Sequence, residues 1–123
     1  MQFQIISDIH LEYYNRMPEI RNLFLISAPN LILAGDICYY KHPNFEAFFK
    51  EVSRLYRHVF FIPGNHEYYT KSDIPDESFE IIDYLMRDKL KKYKNIFFIQ
   101  QSYKELENVI IAGTTLWFKT HKT

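Results

Sequence analysis

Three short apolar runs each stop at a residue of metal-binding type, and this repetition constrains the fold more than any other feature of the chain. Phe3-Gln4-Ile5-Ile6 runs into Ser7-Asp8-Ile9-His10, Leu31-Ile32-Leu33-Ala34 into Gly35-Asp36, and His58-Val59-Phe60-Phe61-Ile62 through Pro63 into Gly64-Asn65-His66-Glu67. Brief apolar runs bounded by turn residues read as strands, and runs without polar alternation as strands buried on both faces of a parallel sheet. Between the second and third runs, Pro43 and Asn44 are helix-start signals. Phe45, Phe48, Phe49, Val52, Leu55 and Tyr56 then recur along one helical face. Residues 30 to 62 are therefore expected to form a β-α-β unit, normally parallel and right-handed, in an α/β fold.

A chain of 123 residues suits one domain, 1–123, and is too short for two. Hydrophobic residues at 47% and aromatics at 18% exclude a disordered chain. Basic and acidic residues balance at 15 each, so no general nucleic-acid patch and no attraction to an anionic membrane are expected. No apolar run approaches the ~20 residues that span a bilayer. One cysteine, Cys38, and the lack of a secretory-type N-terminus make an intracellular, cytoplasmic location the default expectation.

The first strand is expected over Phe3 to Ser7. If the backbone stayed extended through His10, the period of two would aim Asp8 and His10 to the same side. Residues 11 to 29 carry mixed signals, with Ile20, Leu23 and Phe24 on a helical face and Leu23 to Ile26 equally suited to a strand. Further on, Asp76 is the expected N-cap of a second helix with Phe79, Ile82, Met86 and Leu90 as its stripe. Lys89, Lys91, Lys92 and Lys94 at its end complement the helix dipole rather than bind phosphate. Asn95 to Ile99 reads as a strand, and Ser102 to Leu106 with Val109 to Thr115 as a hairpin about Glu107-Asn108, before the final Trp117 to Thr123.

In open α/β sheets ligands bind beyond the carboxyl ends of the strands, which would set Asp8, His10, Asp36, Asn65 and His66 on one rim. Carboxylate, imidazole and carboxamide donors suit Mn²⁺, Fe or Zn²⁺ rather than a thiolate-bound structural zinc. A carboxylate between two others, as Asp36 would be, can bridge two ions, and ions ~3.5 to 4 Å apart suit phosphoryl displacement. Asp-x-His alone is equally a strand end bonding turn amides, and Gly-Asp alone an ordinary turn. A plain turn, however, has no use for both His66 and Glu67. His58 reads as a surface residue opening its strand, His42 as a pre-helix residue, Tyr68 and Tyr69 as packing, and Cys38 as a small buried hydrophobe.

Asp8-Ile9-His10, Gly35-Asp36 and Gly64-Asn65-His66-Glu67 resemble the first three signature blocks of the calcineurin-like metallophosphoesterases, over Met1 to about Phe118. The resemblance implies the N-terminal half of a metallophosphoesterase-type β-sandwich flanked by helices, with the β-α-β unit and a C-terminal hairpin, in a single truncated domain. It implies two divalent metal ions (Mn, Fe or Zn), with Asp8 and His10 on one, Asp36 bridging, Asn65 on the second, and His66 facing a phosphoester substrate as acid or charge stabiliser. Glu67 would orient His66 or its loop. The family's later ligand His and Gly-His-x-His have no match, and His121 lies in a polar tail. Two functions are therefore expected to compete: a metal-dependent hydrolase of phosphomonoesters or phosphodiesters, or an inactive remnant or split half that associates with another copy or a complementing chain. An aspartyl-phosphate phosphatase with Asp8 as nucleophile fits less well, because His10 stands where that chemistry wants an acid.

Overall fold

The computed structural model describes residues 1–69 and 78–116. Four parallel strands form a sheet in the order β1 (Phe3–Ile6), β2 (Asn30–Ala34), β3 (His58–Ile62) and β4 (Ile96–Phe98). Helices α1 (Ile20–Leu23), α2 (Pro43–Leu55) and α3 (Phe79–Leu90) connect them, and β5 (Ser102–Leu106) with β6 (Val109–Gly113) makes a separate antiparallel hairpin. The expected β-α-β unit is β2-α2-β3, in register from Asn30 opposite His58 to Ala34 opposite Ile62. A second such unit, β3-α3-β4, follows it.

Strand pairing sorts the side chains into two faces. Ile6, Leu33, Phe61 and Phe98 form one row across the sheet, beside the row Gln4, Leu31, Val59 and Ile96. These rows meet Phe45, Phe48, Phe49 and Val52 of α2 and Ile82, Met86 and Leu90 of α3 in one core. The Phe49 and Phe61 rings lie 4.7 Å apart, within the range where aromatic pairs add to simple burial. Helix α2 starts where the sequence places it: Pro43 takes the first turn and the His42 ring nitrogen Nδ1 accepts the Asn44 N–H at 3.1 Å.

The opposite face carries Ile5, Ile32, Phe60 and Phe97 in one row. The hairpin lies against it at β3 and β4. Lys104 Nζ sits 4.7 Å above the Phe97 ring, and Thr115 Oγ1 donates to the Pro63 carbonyl at 2.6 Å. Phe60 is fully buried there, while Ile5, on the edge strand, is 66% exposed. Gly113 meets Ile62 so closely that an added Cβ would stand 2.6 Å from Cγ1 of Ile62. Gly113→Ala is therefore expected to push the hairpin off β3 and cost about 1–3 kcal/mol by overpacking, read as a lower urea midpoint. An unchanged midpoint would show that the hairpin does not dock there.

Several expectations shift at their edges. Strand β1 ends at Ile6, because Asp8 turns into the left-handed region with φ +58°. Residues 11 to 29 form a 3-10 turn at Leu11–Tyr13 and the single-turn helix α1, so Leu23 to Ile26 do not make a strand. Asp76, Trp117 and His121 lie outside the described residues, and the N-cap of α3 is Ser78. Lys89 and Lys92 pair with Glu46 in the first turn of α2, and Lys91 with Asp88. His58 is half-buried rather than a surface residue, its Nδ1 2.8 Å from Asn30 Oδ1. Among the described residues no helix is long and apolar enough to cross a membrane.

Candidate metal centre

Parallel pairing brings the carboxyl ends of β1, β2 and β3 to one edge of the sheet, and the loops continue the ladder. Asp8 N–H donates to Gly35 O at 3.0 Å, His10 N–H to Asp36 O at 3.1 Å and Leu11 N–H to Ile37 O at 2.7 Å. Asp8, His10 and Asp36 all take positive φ, at +58°, +46° and +55°. Non-glycine residues held there cost of order 1–3 kcal/mol each and cluster at functional sites. The extended backbone that would have aligned Asp8 with His10 is thus absent. A kinked backbone achieves the approach instead, with Asp8 Oδ1 3.7 Å from His10 Nε2.

Glu67 fixes the shape of this edge. It is fully buried, and both carboxylate oxygens accept backbone N–H groups: Oε1 from Gly64 at 2.6 Å and Asp36 at 2.9 Å, Oε2 from Ile37 at 2.6 Å and Cys38 at 2.9 Å. Burial raises its carboxyl to about 8, against those hydrogen bonds, which pull it down. Glu67 therefore orients the loop, as the resemblance implies, by gripping the main chain after β2. Gly35, with φ +83°, and Gly64 complete the packing. A Cβ on Gly64 would lie 2.6 Å from the Asp36 nitrogen, and one on Gly35 2.9 Å from the Gly64 Cα.

Asp8, His10 and Asp36 each offer a ligand atom, all within 4.8 Å of one another. That separation and this O/N donor set fit a single divalent cation. The Asp36 carboxylate also accepts the His66 backbone N–H at 2.9 Å. Asn65 Nδ2 donates to Tyr69 Oη at 3.1 Å, which leaves the carboxamide oxygen, the metal-type donor, on its other branch. The His66 ring lies 4.5 Å from that of His10, with the Tyr39 ring at 5.8 Å and the Tyr69 ring at 5.2 Å. Tyr69 thus belongs to the rim, whereas Tyr68 packs in the core with its hydroxyl on Asp83 at 2.8 Å.

Sequence reading missed Glu12. Its side chain is 2% exposed, and its Oε2 lies 3.0 Å from His10 Nδ1 and 3.2 Å from His66 Nδ1. The available signal was a carboxylate two residues beyond His10 in an otherwise apolar and aromatic stretch, His10-Leu11-Glu12-Tyr13-Tyr14. Cys38 is a buried thiol whose pKa burial drives upward, as expected of a core hydrophobe rather than a nucleophile. The candidate residues gather at one edge of the sheet. A cavity of about 710 Å³, lined by Met17, Phe24, Leu25 and Leu55 among others, includes none of them.

The family model described as calcineurin-like phosphoesterase matches residues 1–121. An uncharacterised protein of Acanthamoeba polyphaga mimivirus is 30% identical over 120 residues, covering 91% of this chain and 42% of its own length. The chain thus spans less than half of that relative. No solved structure matches. With the loops that carry Asp8 and His10, Asp36, and Asn65 and His66 gathered on one sheet edge and the family model matched over residues 1–121, the chain belongs to the calcineurin-like phosphoesterase family.

Proposed function

We propose that the chain carries the metal-binding and acid-base half of a metal-dependent phosphoester hydrolase acting on a phosphomonoester or phosphodiester. The convergence of Asp8, His10 and Asp36 within 4.8 Å, beside His66, carries this reading. Asp8 and His10 would hold one divalent ion, Asp36 would bridge, and Asn65 would hold a second, with Mn²⁺, Fe or Zn²⁺ suited to the donors. Such ions supply a water of lowered pKa and neutralise charge on a phosphoryl group. The chain's own part falls to His66. With Nδ1 turned to Glu12, Nε2 is the other ring nitrogen, and in the imidazolium form it would donate a proton to the leaving oxygen or stabilise phosphoryl charge. Tyr39 and Tyr69 hold that ring at the rim. The lone buried thiol suits an intracellular, cytoplasmic setting.

The test is Mn²⁺-stimulated hydrolysis of an aryl phosphate and of a bis-aryl phosphodiester, by this chain and by a longer version that includes the rest of the family's ligand blocks. His66→Ala is expected to lower the rate about 10²- to 10⁴-fold, the usual worth of a positioned acid, with Mn²⁺ affinity retained. Wild-type rates no higher than those of the Asp36→Ala/His66→Ala double variant in both versions would overturn the proposal.

The ligand count favours a second reading. Among the described residues only Asp36 and Asn65 are assigned to a second ion, and association with another copy or a complementing chain would supply further donors. The exposed Ile5 on the edge strand offers an apolar contact for it. A monodisperse monomer that binds two Mn²⁺ ions tightly would exclude this association.

A further inference from the structure

We propose that Glu12 is a shared positioning residue that sets the tautomer of both His10 and His66; the inference rests on the metal-dependent reading of the rim. One carboxylate oxygen, Oε2, lies 3.0 Å from His10 Nδ1 and 3.2 Å from His66 Nδ1. A carboxylate accepts and does not donate, so both imidazoles must place N–H on Nδ1, which leaves the lone pair of each ring on Nε2. For His10, Nε2 is the nitrogen that faces Asp8. Ligating histidines characteristically donate their second ring N–H to a carboxylate, which fixes orientation and raises ligand basicity. Here one carboxylate serves two rings whose centroids are 4.5 Å apart.

The energetics point away from a merely structural role. The Glu12 side chain is 2% exposed, and Oε1 is buried with no hydrogen-bond partner among the described residues. A buried carboxylate with one oxygen unpartnered costs stability, while its other oxygen, Oε2, serves both imidazoles. Its placement is firm. The 3-10 turn that carries Glu12 is anchored by Leu11 N–H on Ile37 O, and by Asn44 Nδ2, which donates to Leu11 O at 2.9 Å and Tyr14 O at 3.0 Å. Asn44 is itself buried in the first turn of α2, so the core helix sets where the carboxylate stands.

The deciding experiment is ¹⁵N-edited NMR of the imidazoles in the metal-free, full 123-residue chain. Both His10 and His66 are expected as the Nδ1–H tautomer when neutral. Glu12→Gln, which keeps the shape but not the charge, is expected to mix the tautomers and weaken Mn²⁺ binding by calorimetry about 10- to 100-fold, the range for loss of an outer carboxylate partner. Glu12→Asp is expected to fall between the two. An Nε2–H tautomer at either histidine in the wild type overturns the proposal, and so does a Glu12→Gln variant of lowered stability with unchanged tautomers and Mn²⁺ affinity. If Glu12→Gln does not fold, the wild-type spectrum decides. A wild type with the expected tautomers and no Mn²⁺ affinity would sink the hydrolase reading while leaving the positioning role intact.

Discussion

Glu67→Ala is expected to destabilise the chain by about 3–5 kcal/mol, a large share of the ~5–15 kcal/mol that holds a typical domain together. The Ile37 and Cys38 N–H groups lose buried acceptors, at about 1–3 kcal/mol each. Those of Gly64 and Asp36 are only part-buried, so water replaces much of what they lose. A urea titration reads the loss directly, and a cost below about 1 kcal/mol would mean that Glu67 is not the clamp. The same residue gives stability a pH dependence. Its carboxyl titrates near 8 in the folded chain and near 4.5 when ordinary. The folded state therefore keeps a proton that the unfolded chain releases. This contribution is complete below pH 4.5, declines as pH rises by at most about 1.4 kcal/mol per unit, and is gone above pH 8. Glu67→Gln has no such slope. A wild-type stability that rises between pH 5 and 8, relative to Glu67→Gln, would contradict the assignment.

Asp36→Asn is expected to weaken metal binding sharply while leaving the fold alone. Asparagine tolerates the φ of +55°, and its oxygen can still accept the His66 N–H that Asp36 accepts. What it removes is one negative charge from the trio within which Asp8, His10 and Asp36 lie. In the metal-free chain that loss relieves repulsion with Asp8, so stability is expected to hold or rise slightly. Mn²⁺ affinity should fall by at least about 100-fold, beyond the range for an outer-shell partner. Any metal-dependent hydrolysis should fall about 10³-fold, the equivalent of ~4 kcal/mol of charge stabilisation. Calorimetry with Mn²⁺ and a urea curve on the same preparation separate the two effects. Undiminished Mn²⁺ affinity would remove Asp36 from the centre.

Residue patterns made the sheet and its loaded edge legible because each element announces itself locally. Asn30 to Ala34 has no polar alternation, and the α2 stripe of Phe45, Phe48, Phe49 and Val52 has helical spacing. The edge of a parallel sheet then collects Asp8, Asp36 and His66 by topology alone. What stayed hidden depends on geometry that no spacing encodes. The positive φ values of Asp8, His10 and Asp36 replace strand alternation with a kink that sequence does not report. Glu12 is invisible without knowing that Leu11–Tyr13 winds into a 3-10 turn pinned by Asn44. The four amides on Glu67 come from two loops, so only the folded chain reveals that a residue expected to orient its loop grips both.

The three loops that carry the candidate ligands hang from strands that are distant along the chain and brought together by parallel pairing. Such pairing forms late, since a crossover must close before any contact rewards it. A nascent chain that has emerged only as far as α2 holds Asp8, His10 and Asp36, yet lacks Gly64 and Glu67, which shape the loop that carries Asp36. If the rim binds a metal as proposed, capture would wait on β3 docking beside β2, and a bound ion would stabilise the finished topology.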